Sequence, residues 1–213
     1  MVLDPGHNGG NASHPAEINA IVPAGRGQTK ACDTTGTATN DGYSEHAFTW
    51  DVTNRVSADL AAHGYQVIRT RPNDTGVGPC VDQRAAIGNQ ANAAAVVSIH
   101  GDGSDVAGAH GFHVEYASPP LNAVQSGPSI ALATTLRDTV RDAGFTAANY
   151  LGSNGLFARP DLGGLNLSDR PKALIECGNM RDANDAAVMS SANGRQHIAD
   201  AIAGGIIAYL AHA

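Results

Sequence analysis

The chain has few aromatic residues and few charges. Phe, Trp and Tyr make up 5% of its 213 residues, and Asp, Glu, Lys and Arg make up 15%. A hydrophobic share of 42% nevertheless indicates a folded domain, because disordered chains combine low hydrophobicity with high net charge. With 25 glycines and few large side chains, the composition favours a loop-rich α/β domain whose elements approach one another closely.

Long apolar runs and basic runs are also missing. No run of apolar residues reaches the roughly 20 needed to span a bilayer, so we expect no membrane-spanning segment. The formal net charge of −7, with no cluster of Lys and Arg to offset it, argues against a nucleic-acid partner. No basic segment followed by an apolar one opens the chain, so we expect a mature exported protein whose signal peptide has been removed.

Cysteine is scarce, with only Cys32, Cys80 and Cys177. Cys32 and Cys80 lie in Gly-containing loops, whereas Cys177 directly follows a predicted strand. We expect a disulfide between Cys32 and Cys80 and a buried thiol at Cys177; the alternative is three unpaired thiols. A disulfide would place the protein outside the reducing cytoplasm.

The order of apolar patterns predicts one α/β domain over residues 1–213. Short apolar, β-branched stretches alternate with stretches of helical periodicity, which implies a mixed, mostly parallel sheet of about six strands with helices on both faces. The predicted strands cover residues 2–3, 65–69, 96–99, 111–116 and 173–176, and the predicted helices cover 44–63, 81–94, 130–143, 182–190 and 194–212.

Residues 8–43 interrupt this alternation. The segment is rich in Gly, Asn, Thr and Pro and predicts a long, irregular loop insertion. Loops of that length inside a compact domain usually carry function.

Reactive side chains stand at the carboxyl ends of three predicted strands. His7 follows Val2 and Leu3 through a Pro-Gly turn, His100 follows VVSI, and Glu176 follows ALI. Sites in parallel sheets form outside the carboxyl ends of the strands, so we expect these three side chains to meet at one sheet edge.

The residue types point to a zinc hydrolase. Two imidazoles and one carboxylate hold catalytic zinc with one position open, and a second carboxylate then acts as general base. Glu45 lies in the first turn of a predicted helix, where negative charge is stable, whereas Glu176 lies on an apolar strand that would raise its pKa. We therefore predict His7, Glu45 and His100 as ligands of one zinc ion and Glu176 as base, although spacing alone leaves the two glutamates interchangeable.

Five segments together resemble the zinc-dependent N-acetylmuramoyl-L-alanine amidases that cut bacterial peptidoglycan. They follow the family's order and cover most of the chain outside the insertion. The segments are VLDPGH (2–7), SEHAFTWDVTNRVSADLAAHGYQVIRTR (44–71), RAAIGNQANAAAVVSIHGDG (84–103), GFHVEY (111–116) and RPKALIECGNMRDANDAAVM (170–189).

The resemblance implies zinc held by His7, Glu45 and His100, with Glu176 as catalytic base. It also implies cleavage of the amide between the lactyl group of N-acetylmuramic acid and the L-alanine of the stem peptide, in polymeric peptidoglycan or smaller muropeptides. Such an enzyme would act in the periplasm or cell envelope; we expect a monomer and leave open a protein activator. Members of the family often place only a short Gly-rich turn before the glutamate, so residues 8–44 are a departure.

Three further residues are weaker candidates. Asp4 either caps the turn or orients His7, His110 is a candidate substrate contact near the sheet edge, and Asn179 either holds substrate or stabilises a turn.

Two other functions fit the same residues. A zinc carboxypeptidase-like hydrolase of stem peptides would need a cationic pocket for a terminal carboxylate, which Arg159 or Arg170 could supply. A non-catalytic peptidoglycan-binding module would have no need of all four metal-site residues.

Overall fold

Six strands form the central sheet, and two more form a separate hairpin. The structure is a computed structural model that describes residues 1–212. The strands are β1 (Val2–Pro5), β2 (Ile21–Gly25), β3 (Gln28–Ala31), β4 (Ile68–Arg69), β5 (Val96–Asp102), β6 (His113–Ala117), β7 (Leu156–Arg159) and β8 (Lys172–Asn179). The helices are α1 (Pro15–Ile18), α2 (Glu45–Ala62), α3 (Val81–Gln90), α4 (Ala123–Ser126), α5 (Pro128–Asp142), α6 (Gly163–Asn166), α7 (Ala183–Ser190) and α8 (Ala192–Leu210), with a 3-10 turn at Asn11–Ser13.

The central sheet is mixed and mostly parallel. Its strand order is β4-β1-β5-β8-β6-β7, and β4, β1, β5 and β8 run in one direction. β6 lies antiparallel to β8, and β7 pairs in parallel with β6. The predicted α/β class and six-stranded mixed sheet are confirmed.

The two faces of this sheet differ in chemistry, because successive side chains along a strand point to opposite faces. One face is apolar and packs against α2 and α5, with α8 lying across both helices. The other face carries buried polar side chains such as Asp4, Ser98 and Lys172, and α3 and α6 contact its strands. Helices thus flank both faces, as predicted. The sheet residues in the apolar core are Leu3, Val97, Ile99, Val114, Ala173, Ile175 and Cys177.

Helix α2 follows directly from its sequence pattern. Phe48, Val52, Val56 and Leu60 recur every four residues, and all four are fully buried against the sheet and α8. Burying each such side chain contributes about 1.5–3 kcal/mol. Gly64, with a φ of 84°, follows the helix in the left-handed conformation that commonly ends helices.

The insertion is more ordered than the sequence predicts. Residues 8–43 contain the 3-10 turn, α1 and the antiparallel hairpin β2–β3, so the expectation of a wholly irregular loop is wrong. The hairpin turns at residues 25–27, which all have positive φ. A disulfide joins Cys32, after β3, to Cys80, before α3, and Cys177 is a buried free thiol.

Several element boundaries differ from the predictions. The strand predicted over 65–69 is only the two-residue β4, and α3 ends at Gln90 rather than near Ala94. β7 was not predicted, because a four-residue edge strand between Gly-rich turns carries little pattern of its own. Among residues 1–212, no helix is both long and apolar enough to cross a bilayer.

Candidate metal centre

Three potential metal ligands from separate parts of the chain converge beside β1 and β5. His7 lies two residues beyond β1, Glu45 begins α2, and His100 lies within β5. One ligand atom from each residue lies within 4.8 Å of the others. Nε2 of His7 is 3.2 Å from Oε2 of Glu45, and Nδ1 of His100 is 2.9 Å from Oε1 of the same carboxylate. The structure thus brings the three residues predicted as ligands together.

Gly6 allows β1 and β5 to place these histidines side by side. A Cβ at position 6 would lie 2.2 Å from Cε1 of His100, so only glycine fits against that ring. His7 has a φ of 55°, in the left-handed region that is costly for residues with a Cβ. This turn leaves the centroids of the two imidazole rings 5.1 Å apart and nearly perpendicular.

The insertion contacts the other nitrogen of His7. Nδ1 lies 3.1 Å from Oδ1 of Asp33 and 3.1 Å from the carbonyl oxygen of Thr34. Both partners are acceptors, so the tautomer that satisfies them carries its hydrogen on Nδ1. Nε2, the nitrogen left for a metal ion, faces Glu45 on the side where the ligands meet.

The carboxylate of Glu45 is buried and also held by backbone amides. Thr37 donates to Oε2 at 2.9 Å and Gly101 donates to Oε1 at 3.3 Å. Burial alone would raise the pKa of Glu45, but His7 and His100 outweigh it and hold the pKa well below its usual range. Burial likewise would lower the pKa of His7, but Glu45 and Asp33 raise it to about 10.

Glu176 lies on the strand next to His100. The two residues are register partners on β5 and β8, and Oε2 of Glu176 is buried without a hydrogen-bond partner in the described part of the chain. Burial raises the pKa of Glu176 well above its ordinary value, and the negative charges of Glu45, Glu115 and Asp102 raise it further. A carboxylate with a raised pKa is suited to general acid–base chemistry near neutral pH.

A cavity of about 440 Å³ opens onto this cluster. His7, Glu45, His100 and Glu176 all contribute to its lining. Other walls come from β3 of the hairpin and from α6, which lie over the polar face of the sheet. The volume is within the usual range for sites that bind small molecules.

The donor set fits a zinc ion. Two imidazoles and one carboxylate match the ligands of catalytic zinc sites, which keep one position open. The ligand side chains are in turn held by outer partners, Asp33 and Thr34 on His7 and the amide of Thr37 on Glu45, as is typical of metal sites. The orphaned oxygen of Glu176 supplies the second carboxylate that a hydrolase needs.

Asp4 does not contact the His7 imidazole, which was one of its two expected roles. Its carboxylate accepts hydrogen bonds from Arg84 Nη1 at 2.9 Å, Ser98 Oγ at 2.6 Å and Lys172 Nζ at 3.2 Å. Asp33, which the sequence analysis did not single out, contacts the imidazole instead. The only sequence signal for Asp33 was its position directly after a cysteine.

The other two weaker candidates lie away from the ligand cluster. Nδ1 of His110 is 2.9 Å from the carbonyl oxygen of Gly108, and His110 is absent from the residues that line the described cavity. The buried side chain of Asn179 donates to the carbonyl oxygens of Ser104 and Ala109, at 3.0 Å and 2.8 Å. It therefore stabilises the loop after β5, the turn role that was one of its two expected roles.

Comparison with known proteins identifies the family. The family model described as N-acetylmuramoyl-L-alanine amidase matches residues 1–208. The N-acetylmuramoyl-L-alanine amidase Rv3717 of Mycobacterium tuberculosis is 48% identical over 211 residues, which cover 99% of this chain and 86% of that protein.

Solved structures agree in fold. The N-acetylmuramyl-L-alanine amidase Ami1 from Mycobacterium smegmatis superposes with a TM-score of 0.96 at 51% identity, covering 100% of this chain and 96% of that one. The apo form of Ami1 from Mycobacterium abscessus gives 0.94 at 52% identity, with 98% and 97% covered. AmiC2 of Nostoc punctiforme gives 0.75 at 25% identity, with 99% and 96% covered. The chain therefore belongs to the N-acetylmuramoyl-L-alanine amidase family.

Proposed function

We propose that this member of the family is a zinc-dependent amidase that hydrolyses the bond between the lactyl group of N-acetylmuramic acid and the L-alanine of the peptidoglycan stem peptide. The observation that carries the proposal is the meeting of His7, Glu45 and His100 within 4.8 Å, with the partnerless carboxylate oxygen of Glu176 on the neighbouring strand. Family membership supplies the amide that is cut.

One zinc ion would be held by Nε2 of His7, the carboxylate of Glu45 and Nδ1 of His100, the atoms that face one another in the cluster. A bound zinc ion supplies Lewis acidity to a site of this kind. Asp33 and the amide of Thr37 hold the ligands in place, so little rearrangement is needed for binding.

Glu176 performs the proton transfers. Its Oε2 takes a proton from the attacking water as the new bond to the lactyl carbonyl carbon forms. The same oxygen then gives that proton to the nitrogen of L-alanine as the carbon–nitrogen bond breaks. The new carboxylic acid gives the second proton of the water to the freed amine, so the products are a lactyl carboxylate on the sugar and a protonated amine on the stem peptide.

Metal binding and the base are electrostatically linked. In the metal-free protein, burial and the neighbouring carboxylates favour the protonated form of Glu176. A cation held by the three ligands would favour the ionised form, because opposite charges nearby stabilise it. The base therefore becomes competent in the same state in which the metal is present.

The carboxypeptidase alternative is less well supported. Arg159 is already bonded to Glu115 and Asp161. Arg170 donates to the carbonyl oxygen of Ala93 and is not among the residues that line the described cavity. Of the two arginines only Arg159 lines the cavity, and its guanidinium already has two carboxylate partners. The binding-module alternative leaves the buried, partnerless oxygen of Glu176 without a purpose.

We propose further that the protein is exported, acts in the periplasm or cell envelope, and works as a monomer. The Cys32–Cys80 disulfide supports this location, because such bonds are rare in the reducing cytoplasm. Peptidoglycan or its muropeptide fragments are its substrates.

Mass spectrometry of muropeptides tests the activity. Purified muropeptides are incubated with the zinc-loaded protein, with the same protein treated with a chelator, and with the Glu176→Gln variant. Release of intact stem peptide by the loaded protein alone is the expected result. Shortened stem peptides still attached to muramic acid would establish a peptidase instead, and products that persist after chelation would refute zinc dependence.

A further inference from the structure

The stretch of the insertion from Asp33 to Thr37 wraps the outside of the ligand cluster. Asp33 and the carbonyl of Thr34 contact Nδ1 of His7, and the amide of Thr37 contacts Glu45. A Cβ at Gly36 would lie 2.7 Å from Oε2 of Glu45, so the backbone runs directly against the ligands. Residues 33–37 therefore contact two of the three predicted metal ligands directly, which indicates that this part of the insertion contributes to the metal site.

We propose that Asp33 is a positioning residue: it holds the His7 imidazole in the orientation and tautomer that binds metal, and Arg84 and the Cys32–Cys80 disulfide hold Asp33 itself. The inference rests on the proposed zinc dependence. In this arrangement the Asp33 carboxylate accepts a hydrogen bond from Nδ1 of His7, the ring nitrogen that does not bind the metal.

The two oxygens of Asp33 have different partners. Oδ1 lies 3.1 Å from Nδ1 of His7 and also accepts from the amide of Thr34 at 2.7 Å. Oδ2 accepts from Nη2 of Arg84 at 3.1 Å. The side chain is 5% exposed, so water competes little for these bonds. Asp33 therefore sits between a fixed cation and the imidazole and can face the ring in only one way.

Arg84 is the fixed cation. Its guanidinium also donates to the carbonyl oxygens of Pro5 and His7, at 2.6 Å and 3.0 Å, and to Asp4 at 2.9 Å. One buried side chain thus ties the end of β1, the backbone of His7 and the carboxylate of Asp33 together. The planar guanidinium suits this role, since its five donors have a rigid geometry.

The disulfide closes the same arrangement covalently. Cys32 directly precedes Asp33, and Cys80 directly precedes the helix that carries Arg84. The amide of Val81 also donates to the carbonyl of Cys32 at 2.8 Å. Both members of the Asp33–Arg84 pair are therefore anchored within a few residues of one cross-link.

A second Asp in the protein makes the same contacts without a metal site. Oδ2 of Asp74 lies 2.8 Å from Nδ1 of His46, and its Oδ1 accepts from Nη1 of Arg71 at 2.9 Å. His46 is not part of the ligand cluster. Asp74 therefore provides a matched control for a carboxylate that bridges an arginine and a histidine.

The test measures zinc affinity, in competition with a chelating dye, for wild type, Asp33→Asn and Asp74→Asn. The thermal midpoint of each metal-free protein is measured in parallel. Asn has a single acceptor oxygen, so it cannot accept from both His7 and Arg84 as Asp33 does, and the substitution breaks one of these two contacts. Loss of an outer partner of a metal ligand typically weakens metal binding about 10–100-fold. We expect a rise of that size in the zinc Kd of Asp33→Asn and no rise for Asp74→Asn. This difference in Kd should appear even if the two metal-free variants have the same thermal midpoint.

Two results would overturn the inference. The Kd of Asp33→Asn could stay within about twofold of wild type, which would mean that the Thr34 carbonyl alone orients the ring, or Asp74→Asn could weaken binding equally. Wild-type protein that binds no zinc would instead refute the proposed function. Tight binding by wild type together with an unchanged Asp33→Asn refutes the positioning role alone.

A second variant covers the case in which Asp33→Asn does not fold. The double variant Cys32→Ser/Cys80→Ser keeps every charge and loosens only the anchor. We expect its zinc Kd to rise several-fold while the folded protein still binds one ion. An unchanged Kd in the folded double variant would refute the anchoring role of the disulfide.

Discussion

His100 and Glu176 are register partners on adjacent parallel strands, β5 and β8. Neighbouring strands lie only about 4.8 Å apart, so the sheet itself sets a predicted metal ligand beside the proposed base. Both side chains line the same cavity. Functional groups carried by strands and helices are placed more precisely than groups on loops. Of the four site residues only His7 lies on a loop, and there Asp33 and the carbonyl of Thr34 contact its ring.

Replacing Glu176 with Gln should remove activity without removing zinc. The partnerless Oε2 has no bond to lose, so the fold should tolerate the change, while loss of a general base typically costs about 10²–10⁴-fold in kcat. The measurement is kcat on a purified muropeptide beside the zinc Kd. A variant with wild-type kcat would disprove the assigned role of Glu176, and one that binds no zinc would point to an exchange of roles with Glu45.

Replacing Gly6 with Ala should displace the predicted ligand His100, because the backbone at position 6 packs against its ring. The added methyl would meet the His100 ring at 2.2 Å, so the ring or the β1 loop has to move. We expect zinc affinity and activity both to fall at least tenfold, since a ligand displaced by about 1 Å can cost 10²-fold in rate. Gly127→Ala, where a Cβ meets no atom within 4 Å, is the control. Wild-type zinc affinity in Gly6→Ala would contradict the packing described here.

Replacing Asp4 with Asn should destabilise the protein in a pH-dependent way. Burial alone would raise the pKa of Asp4, but Lys172 and Arg84 outweigh it and hold the pKa below its usual range. The stabilisation is therefore fully present above the unfolded-state pKa of about 3.9 and is lost as the pH falls through the lower folded-state value. The substitution leaves buried Lys172 without its carboxylate partner and Arg84 with Asp33 alone, which should cost about 3–5 kcal/mol at pH 7.

Urea unfolding of the metal-free proteins between pH 3 and 8 measures this difference. The difference in free energy of unfolding between wild type and Asp4→Asn should be constant from pH 6 to 8 and should shrink below about pH 4. Asp41→Asn, a change at an exposed position, should track wild type throughout. If this difference in free energy grew at acid pH, the result would contradict a lowered pKa of Asp4.

Loss of the disulfide should lower stability through the unfolded chain. Cys32 and Cys80 are 48 residues apart, and closing a loop of that length is worth about 4 kcal/mol in the chain-entropy model. The Cys32→Ser/Cys80→Ser protein should therefore unfold at a clearly lower urea midpoint than the oxidised wild type. Coinciding midpoints would show that the bond is absent from the purified protein or that its loop is already restricted when unfolded.

Local patterns were sufficient to predict the main elements and four residues of the site. The four-residue repeat of α2 and the apolar, β-branched stretches of β5 and β8 reflect burial on one face of a helix and within a parallel sheet. His100 and Glu176 stood out because a polar side chain within an apolar strand has no local reason to be there. For His7 and Glu45 the strand end and the helix start were suggestive, and resemblance to a known family decided which glutamate was the ligand.

Tertiary structure alone decided what surrounds those residues. The hairpin β2–β3 packs against α3 and α6, and the edge strand β7 pairs with β6, so both are stabilised by distant parts of the chain and their own sequences carry weak signals. Asp33 and Arg84 are far apart in sequence, and only the folded chain, with Cys32 joined to Cys80, sets them against His7. Periodicity reports which side chains are buried; it does not report which distant polar group each one meets, because that depends on how the separate elements pack.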